Sequence, residues 1–279
     1  MTVSVNSIID RVQRVLQDTT GVRWPVDEEL VLWVNDAQRE IALLKPDASA
    51  VNETLTLVAG TKQSIPTNGN RLLKVVRNVV GTAASSSIRL VDGNILDSQT
   101  PDWHNATVGG DAAHSTTIKH YIYNDSNPRN FYVYPGALGA TVKVDIIYSA
   151  NPTDVFAASS VTAWDSSATY VDGNRVSHGS KVWEAVPSNV LANQTPSASN
   201  SANWAEVTGY NISIPDIYAN SIMNYVLYMA YMKDAEFAGS QQRAGSHYQL
   251  FQQAVTGKGQ IDTITTPNAE RTIQPVAGV

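Results

Sequence analysis

Leu32-Trp33-Val34-Asn35-Asp36-Ala37-Gln38-Arg39-Glu40-Ile41 spaces Trp33, Ala37 and Ile41 at helical intervals, so these three fall on one inward face of an amphipathic helix. Upstream, Asp27, Glu28 and Glu29 supply the negative charge that a helix N-terminus favours, and downstream Pro46 stops the pattern after Leu44. An earlier helix follows from Ser4 as a cap and from Ile8, Ile9, Val12, Val15 and Leu16, with Asp10, Arg11 and Arg14 on its other side. Gly21 and Pro25 end it, and the short connection implies two antiparallel helices.

Beyond Asn52 the period shifts towards two. Thr54-Leu55-Thr56-Leu57-Val58 before Gly60, Ile88-Arg89-Leu90-Val91 before Asp92-Gly93, Phe131-Tyr132-Val133-Tyr134-Pro135 and Val142-Lys143-Val144-Asp145-Ile146-Ile147-Tyr148 read as strands of a β-rich middle region. A long helix is predicted from Pro215 and Asp216 to about Val255, before Gly257. Its first half is apolar nearly all round, and such a helix must be covered on every side. One antiparallel partner covers part of it; the remainder marks Ile222, Tyr225, Val226, Tyr228, Met229 and Met232 as a candidate subunit interface. The fold class is therefore α+β: an antiparallel helical bundle with a long C-terminal helix, a β-rich middle region and a small inserted all-β module.

Apolar residues make up 43% of the 279 residues and charged ones only 16%, so much of the surface is neutral and polar or buried against other subunits. A net charge of −6 excludes a protein that grips nucleic acid through a basic surface, while leaving transient sliding contact with DNA open. With no cysteine there is no disulfide, thiolate metal site or cysteine nucleophile. Asp10, Arg11 and Arg14 interrupt the N-terminal apolar run, and no run approaches the roughly 20 apolar residues of a membrane span. A soluble product made in the cytoplasm, with no membrane partner, is expected.

Catalytic constellations are not found. His104, His114, His120, His178 and His247 have no ligand spacing, Ser246-His247 lies in no G-x-S-x-G turn, and Gly257-Lys258 lacks the rest of a phosphate loop. The pairs Asp27 with Glu28 and Asp234 with Glu236 sit on helices in charged company, as solvated faces do. No enzyme activity and no cofactor are expected.

Residues 158–208 change texture to Ser, Ala, Asn and aromatics. Asp172-Gly173 and His178-Gly179 separate very short strands, Asn174 to Ser177 and Lys181 to Val186, around Trp164, Tyr170, Trp183 and Trp204. This spacing resembles the small chitin-binding type of carbohydrate-binding module, in which an aromatic is followed by Tyr-x-x-Gly-x-x-Val, Gly, aromatic-x-Ala, Pro and a final Trp. The resemblance implies that Trp164, Tyr170, Trp183 and Trp204 are candidate sugar-stacking residues, making the protein a glycan-binding adhesin or an accessory to a glycoside hydrolase. The chain departs from the pattern at Val186-Pro187-Ser188, where sugar-binding members carry one or two tryptophans. On physical grounds, and with those tryptophans missing, the preferred reading is that the same aromatics form the core of a unit too small to fold otherwise.

With that block set aside, several segments follow in order. They are Val12 to Asp18, Val22-Arg23-Trp24, the Leu32 to Ile41 helix, Pro101-Asp102-Trp103-His104, Asn127 to Pro135, Tyr148 to Pro152, Tyr225 to Tyr228 and Lys233-Asp234-Ala235-Glu236. Together they resemble the head-to-tail adaptor, or head-completion, proteins of short-tailed bacteriophages. The resemblance implies an adaptor domain in 1–157 and 209–256 and a virion location at the neck. It further implies a homo-oligomeric, dodecameric ring under the portal protein, joined to the tail or nozzle and forming part of a DNA channel. Residues 257–279, with two prolines and three glycines, lack helical period and are expected to be an extended arm. Ile261, Ile264, Ile273 and Val276 are its candidate portal-docking anchors.

Overall fold

The structure is a computed structural model that describes residues 3–81, 83–106, 114–157, 161–179, 181–186, 193–207, 209–234 and 239–265. In chain order its elements are α1 (Val5–Leu16), α2 (Val31–Leu44), β1 (Ala50–Thr56), β2 (Gly60–Ser64), β3 (Gly69–Val80), β4 (Ala83–Ser87), β5 (Arg89–Leu90) and α3 (Gly93–Gln99). There follow β6 (His120–Tyr123), β7 (Asn130–Ala137), β8 (Lys143–Ala150), β9 (Arg175–His178), β10 (Lys181–Ala185), β11 (Trp204–Val207), α4 (Ala219–Lys233) and α5 (Ser240–Thr265). The class is α+β, and the contacts divide the chain into 1–45 with 153–279, and 46–152.

The first unit is helical with a small sheet. Ser4 caps α1, its hydroxyl accepting from the Ser7 N–H at 3.2 Å, and α1 buries Val5, Ile8, Ile9 and Val12. A π-helical turn, Val26–Leu30, leads into α2. α4 packs against α1, α2 and α5. Its run with α5 is antiparallel: Tyr231 stacks on His247, Tyr228 on Tyr248, and Tyr225 meets Phe251 edge-on.

Two expectations are corrected here. The single helix from Pro215 to Val255 is two helices; Lys233 ends the first, and Gly239 adopts φ +91°, a conformation open chiefly to glycine, ahead of the second. The apolar surface of the first is thus largely covered by the next helix of the same chain. The second correction concerns Gly257, which does not terminate α5: the helix runs through Gly257 and Gly259 to Thr265, so an extended arm does not begin there. One glycine inside a helix costs only about 1 kcal/mol, which the longer run of helical hydrogen bonds offsets.

The second unit is two four-stranded sheets, ordered β1-β8-β3-β4 and β2-β7-β6-β5. Their inward residues, among them Leu72, Val75, Phe131, Val133, Val144, Ile146 and Tyr148, share one core. Asn78 joins the sheets: 1% exposed, it donates to the carbonyls of Ser86 and Ile118 and accepts from the Ile118 N–H at 2.8 Å. β3 is bulged three times against β8, so its buried positions, Gly69, Leu72, Val75 and Asn78, recur every third residue.

Candidate functional site

The helix that opened the sequence reading carries a clamp. Its buried face is Val34, Ala37 and Ile41, with Trp33 only half-buried, and two polar side chains, Asn35 and Gln38, are turned in with them. Asn35 makes a paired bond to the Val155 backbone, donating to its carbonyl at 3.1 Å and accepting from its N–H at 2.8 Å. Gln38 Oε1 accepts from the Ser213 N–H at 2.7 Å and the Ser213 hydroxyl at 2.9 Å. Arg39 pairs with Asp154 and Asp36 at the surface. The segments so held are the chain entering and leaving residues 158–208, and they bond each other through the Phe156 N–H and the Gly209 carbonyl at 2.9 Å. The N-terminus adds a further strand-like contact, with Val5 N–H on Tyr210 and Ile212 N–H on Val3. Inward Asn and Gln are satisfied here by backbone, as burial demands.

Within the clamped block, β11-β10-β9 form an antiparallel sheet around Tyr170, Val176, Trp183, Ala185 and Trp204. Three of the four candidate sugar-stacking residues are core: Trp204 is 1%, Trp183 5% and Tyr170 8% exposed. Tyr170 meets Trp204 edge-on at 5.4 Å, Lys181 lies over the Trp183 ring, and Trp183 Nε1 donates to the His178 carbonyl. Only Trp164 is part-exposed, edge-on to His178. The block therefore presents no row of open aromatic faces. Arg175 lies over the Phe156 ring at 4.6 Å, tying the sheet to its own base.

The candidate interface residues of α4 separate by depth. Ile222 and Val226 are 0% exposed and belong to the interior, because α1, α2 and α5 close over them. Tyr225, Tyr228 and Met229 are part-buried; burial of Tyr225, aided by Glu40 and Asp36, raises its hydroxyl above the usual range. Met232 is open at 44%, as are Ile217 at 59% and Leu250 at 50% nearby in sequence. Of the candidate arm anchors, Ile261 and Ile264 fall in the backbone of α5, while Ile273 and Val276 lie outside the described residues.

A pocket of about 300 Å³ lies in the second unit, where Pro101-Asp102-Trp103-His104 and Asn127 to Pro135 come together beside α3. Trp103 is buried and donates from Nε1 to Asp97 at 2.9 Å. His104 stacks on it at 3.7 Å, holds the Thr61 hydroxyl at 2.8 Å, and meets Tyr132 edge-on at 5.5 Å. Sequence reasoning singled out both segments without seeing that they line one cavity.

Among the described residues no group of three His, Asp or Glu could hold a metal ion, and no helix is long and apolar enough to cross a membrane. Part-buried His247 bonds Asn224 and stacks on Tyr231, and part-buried His120 lies parallel to Tyr134; partial burial, with Arg89 and Lys119 adding to it at His120, lowers both imidazoles below their ordinary range. Neither histidine has a nucleophile beside it in these contacts.

The family model described as SU10 adaptor protein matches residues 3–185 and 182–271, nearly the whole chain. No curated protein matches it.

Proposed function

The chain belongs to the SU10 adaptor protein family, and from that premise we propose that it is the ring-forming subunit by which a tailed phage joins its portal to its tail. Membership makes it a structural component of a phage virion. The ring of twelve, the seat beneath the portal, the tail or nozzle contact and the share in a DNA channel are our reading. What carries it is the family match along 3–271. Exposed apolar side chains on the helical unit, Leu32 and Leu43 of α2 with Ile217, Met232 and Leu250, support burial against neighbours. Residues 158–208 are read as a module inserted into this adaptor, which the adjacent, clamped ends support.

The portal contact is assigned to the segment after α5, with Ile273 and Val276 as anchors and Ile261 and Ile264 leading into it. Mixing the purified subunit with portal rings and weighing the products by native mass spectrometry tests this. The subunit alone should remain monomeric, and portal should recruit it as a ring. Removing residues 266–279 should abolish recruitment without changing the subunit's melting temperature. Wild-type recruitment by the truncated chain would move docking onto the helical unit, and no recruitment of the full chain would refute the proposal.

A further inference from the structure

The pocket beside Tyr132 has a hydrogen-bonding valence that selects one class of ligand. Its three asparagines have their carbonyl oxygens engaged: Asn124 Oδ1 by the Ser126 N–H at 2.9 Å, Asn127 Oδ1 by Asn130 Nδ2 at 2.7 Å, and Asn130 Oδ1 by the Ser64 hydroxyl at 2.7 Å. Each of these oxygens keeps a second lone pair, but among the described residues the groups left without any partner on Asn124 and Asn127 are their amide N–H donors. The complementary acceptor is Asp97, which also lines the pocket. Its Oδ1 is fixed by the Trp103 indole, leaving Oδ2 to accept.

A guanidinium or ammonium group, which only donates, can pair with Asp97 but leaves the amide N–H groups of Asn124 and Asn127 without an acceptor. A carboxylate or phosphate, which only accepts, meets the charge of Asp97. A hydroxyl does both and satisfies both sets. The walls make the second selection. Tyr132 is 37% exposed and stands at 74° to His104, forming a flat-sided corner that Trp103 backs from beneath. Such faces pack against weakly polar C–H surfaces. At about 300 Å³ the cavity is at the small end of ligand sites, which span ~300–1,000 Å³.

We propose that this pocket binds a single neutral pyranose. Tyr132 and His104 pack on its C–H face, Asn124 and Asn127 donate to its hydroxyls, and Asp97 accepts from one. The site lies in the β-rich unit, apart from the aromatics of residues 158–208, and does not depend on how the ring assembles.

The test is ¹H–¹⁵N spectroscopy on the labelled full chain, titrated with glucose, galactose and N-acetylglucosamine, each also as its methyl glycoside. Glucuronic acid and adenosine serve as charged and planar controls. At least one neutral pyranose should shift the side-chain amides of Asn124 and Asn127, the ring nitrogens of His104 and the backbone amide of Tyr132, saturably. Equal binding of the methyl glycoside identifies the terminal residue of a glycan as the ligand, and binding of the reducing sugar alone identifies the free monosaccharide. Asp97→Asn still accepts from Trp103 but presents N–H in place of the free oxygen, and should weaken binding at least about tenfold. Tyr132→Leu keeps bulk and loses the flat face, and should do the same; melting curves show that both variants fold. The proposal is overturned if none of the six sugars shifts these signals, if glucuronic acid or adenosine binds more tightly, or if folded Asp97→Asn retains wild-type affinity.

Discussion

Asn35→Ala tests whether α2 holds the base of the 158–208 block. The substitution removes both bonds to Val155, whose backbone then keeps a buried N–H and a buried C=O without partners, since Val155 is 5% exposed. Each such orphan costs roughly 1–3 kcal/mol, so the loss should total about 2–6 kcal/mol, with Gln38 Nε2 also losing its bond to Asn35. For a unit of this size 1 kcal/mol moves the melting temperature by about 2–4 °C, so a fall of roughly 4–24 °C is expected. Arg39→Ala is the contrast: its pair with Asp154 is exposed on both sides, 51% and 64%, and should cost under ~1 kcal/mol. The assay is thermal unfolding followed by tryptophan fluorescence, since five of the six tryptophans lie in the helical unit and its sheet. Hydrogen exchange should rise at 153–157 and 209–214. Equal effects of Asn35→Ala and Arg39→Ala, or a shift under about 2 °C for Asn35→Ala, would refute the clamp.

Replacing 158–208 with a short Gly/Ser linker should leave the helical unit folded, because the ends already meet at the Phe156–Gly209 bond; loss of helical circular dichroism would show the block to be part of the core. Asn78→Leu should destabilise the β-rich unit more than any exposed substitution on β3, by stranding the Ile118 N–H and C=O, and chemical denaturation reports it. Thr54 and Arg77 hold the Asp145 carboxyl below its ordinary value of 3.8. Its stabilising contribution is therefore complete above that value and lost as pH falls through the lower folded one, so Asp145→Asn should flatten stability against pH in that acid window and nowhere else. Burial of His247 acts in a separate window: stability should decline as pH drops below 6.5, and His247→Gln should reduce that slope, leaving the share that His120 contributes.

The two N-terminal helices and strands β1, β7 and β8 are legible in the sequence because their apolar residues keep the period of the element they form. β3 is not. Its bulges place inward residues at Gly69, Leu72, Val75 and Asn78, a spacing of three that matches neither template. The break between α4 and α5 hides in a continuous apolar run, where the partner that covers it is the chain's own return. Asn35 and Gln38 read as the wet side of an amphipathic helix, since the groups that satisfy them lie 120 and 175 residues away. The aromatics of the small sheet read in sequence chiefly as its core, and Tyr170, Trp183 and Trp204 are that core; only the fold shows that Trp164 packs at its edge. For the pocket, sequence supplies Trp103 and Tyr132, and only the fold supplies their meeting.

The pairing of β1 with β8 has a mechanical consequence. The chain enters the β-rich unit at Pro46 and leaves it at Pro152, and the first residue of β1, Ala50, is paired with Ser149 near the end of β8. Ser49 and Ser149 are joined there by a hydroxyl bond of 2.9 Å. Tension applied through both connectors thus loads the β1–β8 ladder from one end, as a zipper is loaded, and its seven residue pairs yield in succession instead of sharing the force. The ladder between β8 and β3 carries three bulges that interlock its register against sliding. Pulled in this way, the seam between β1 and β8 opens from the end that the serine pair closes.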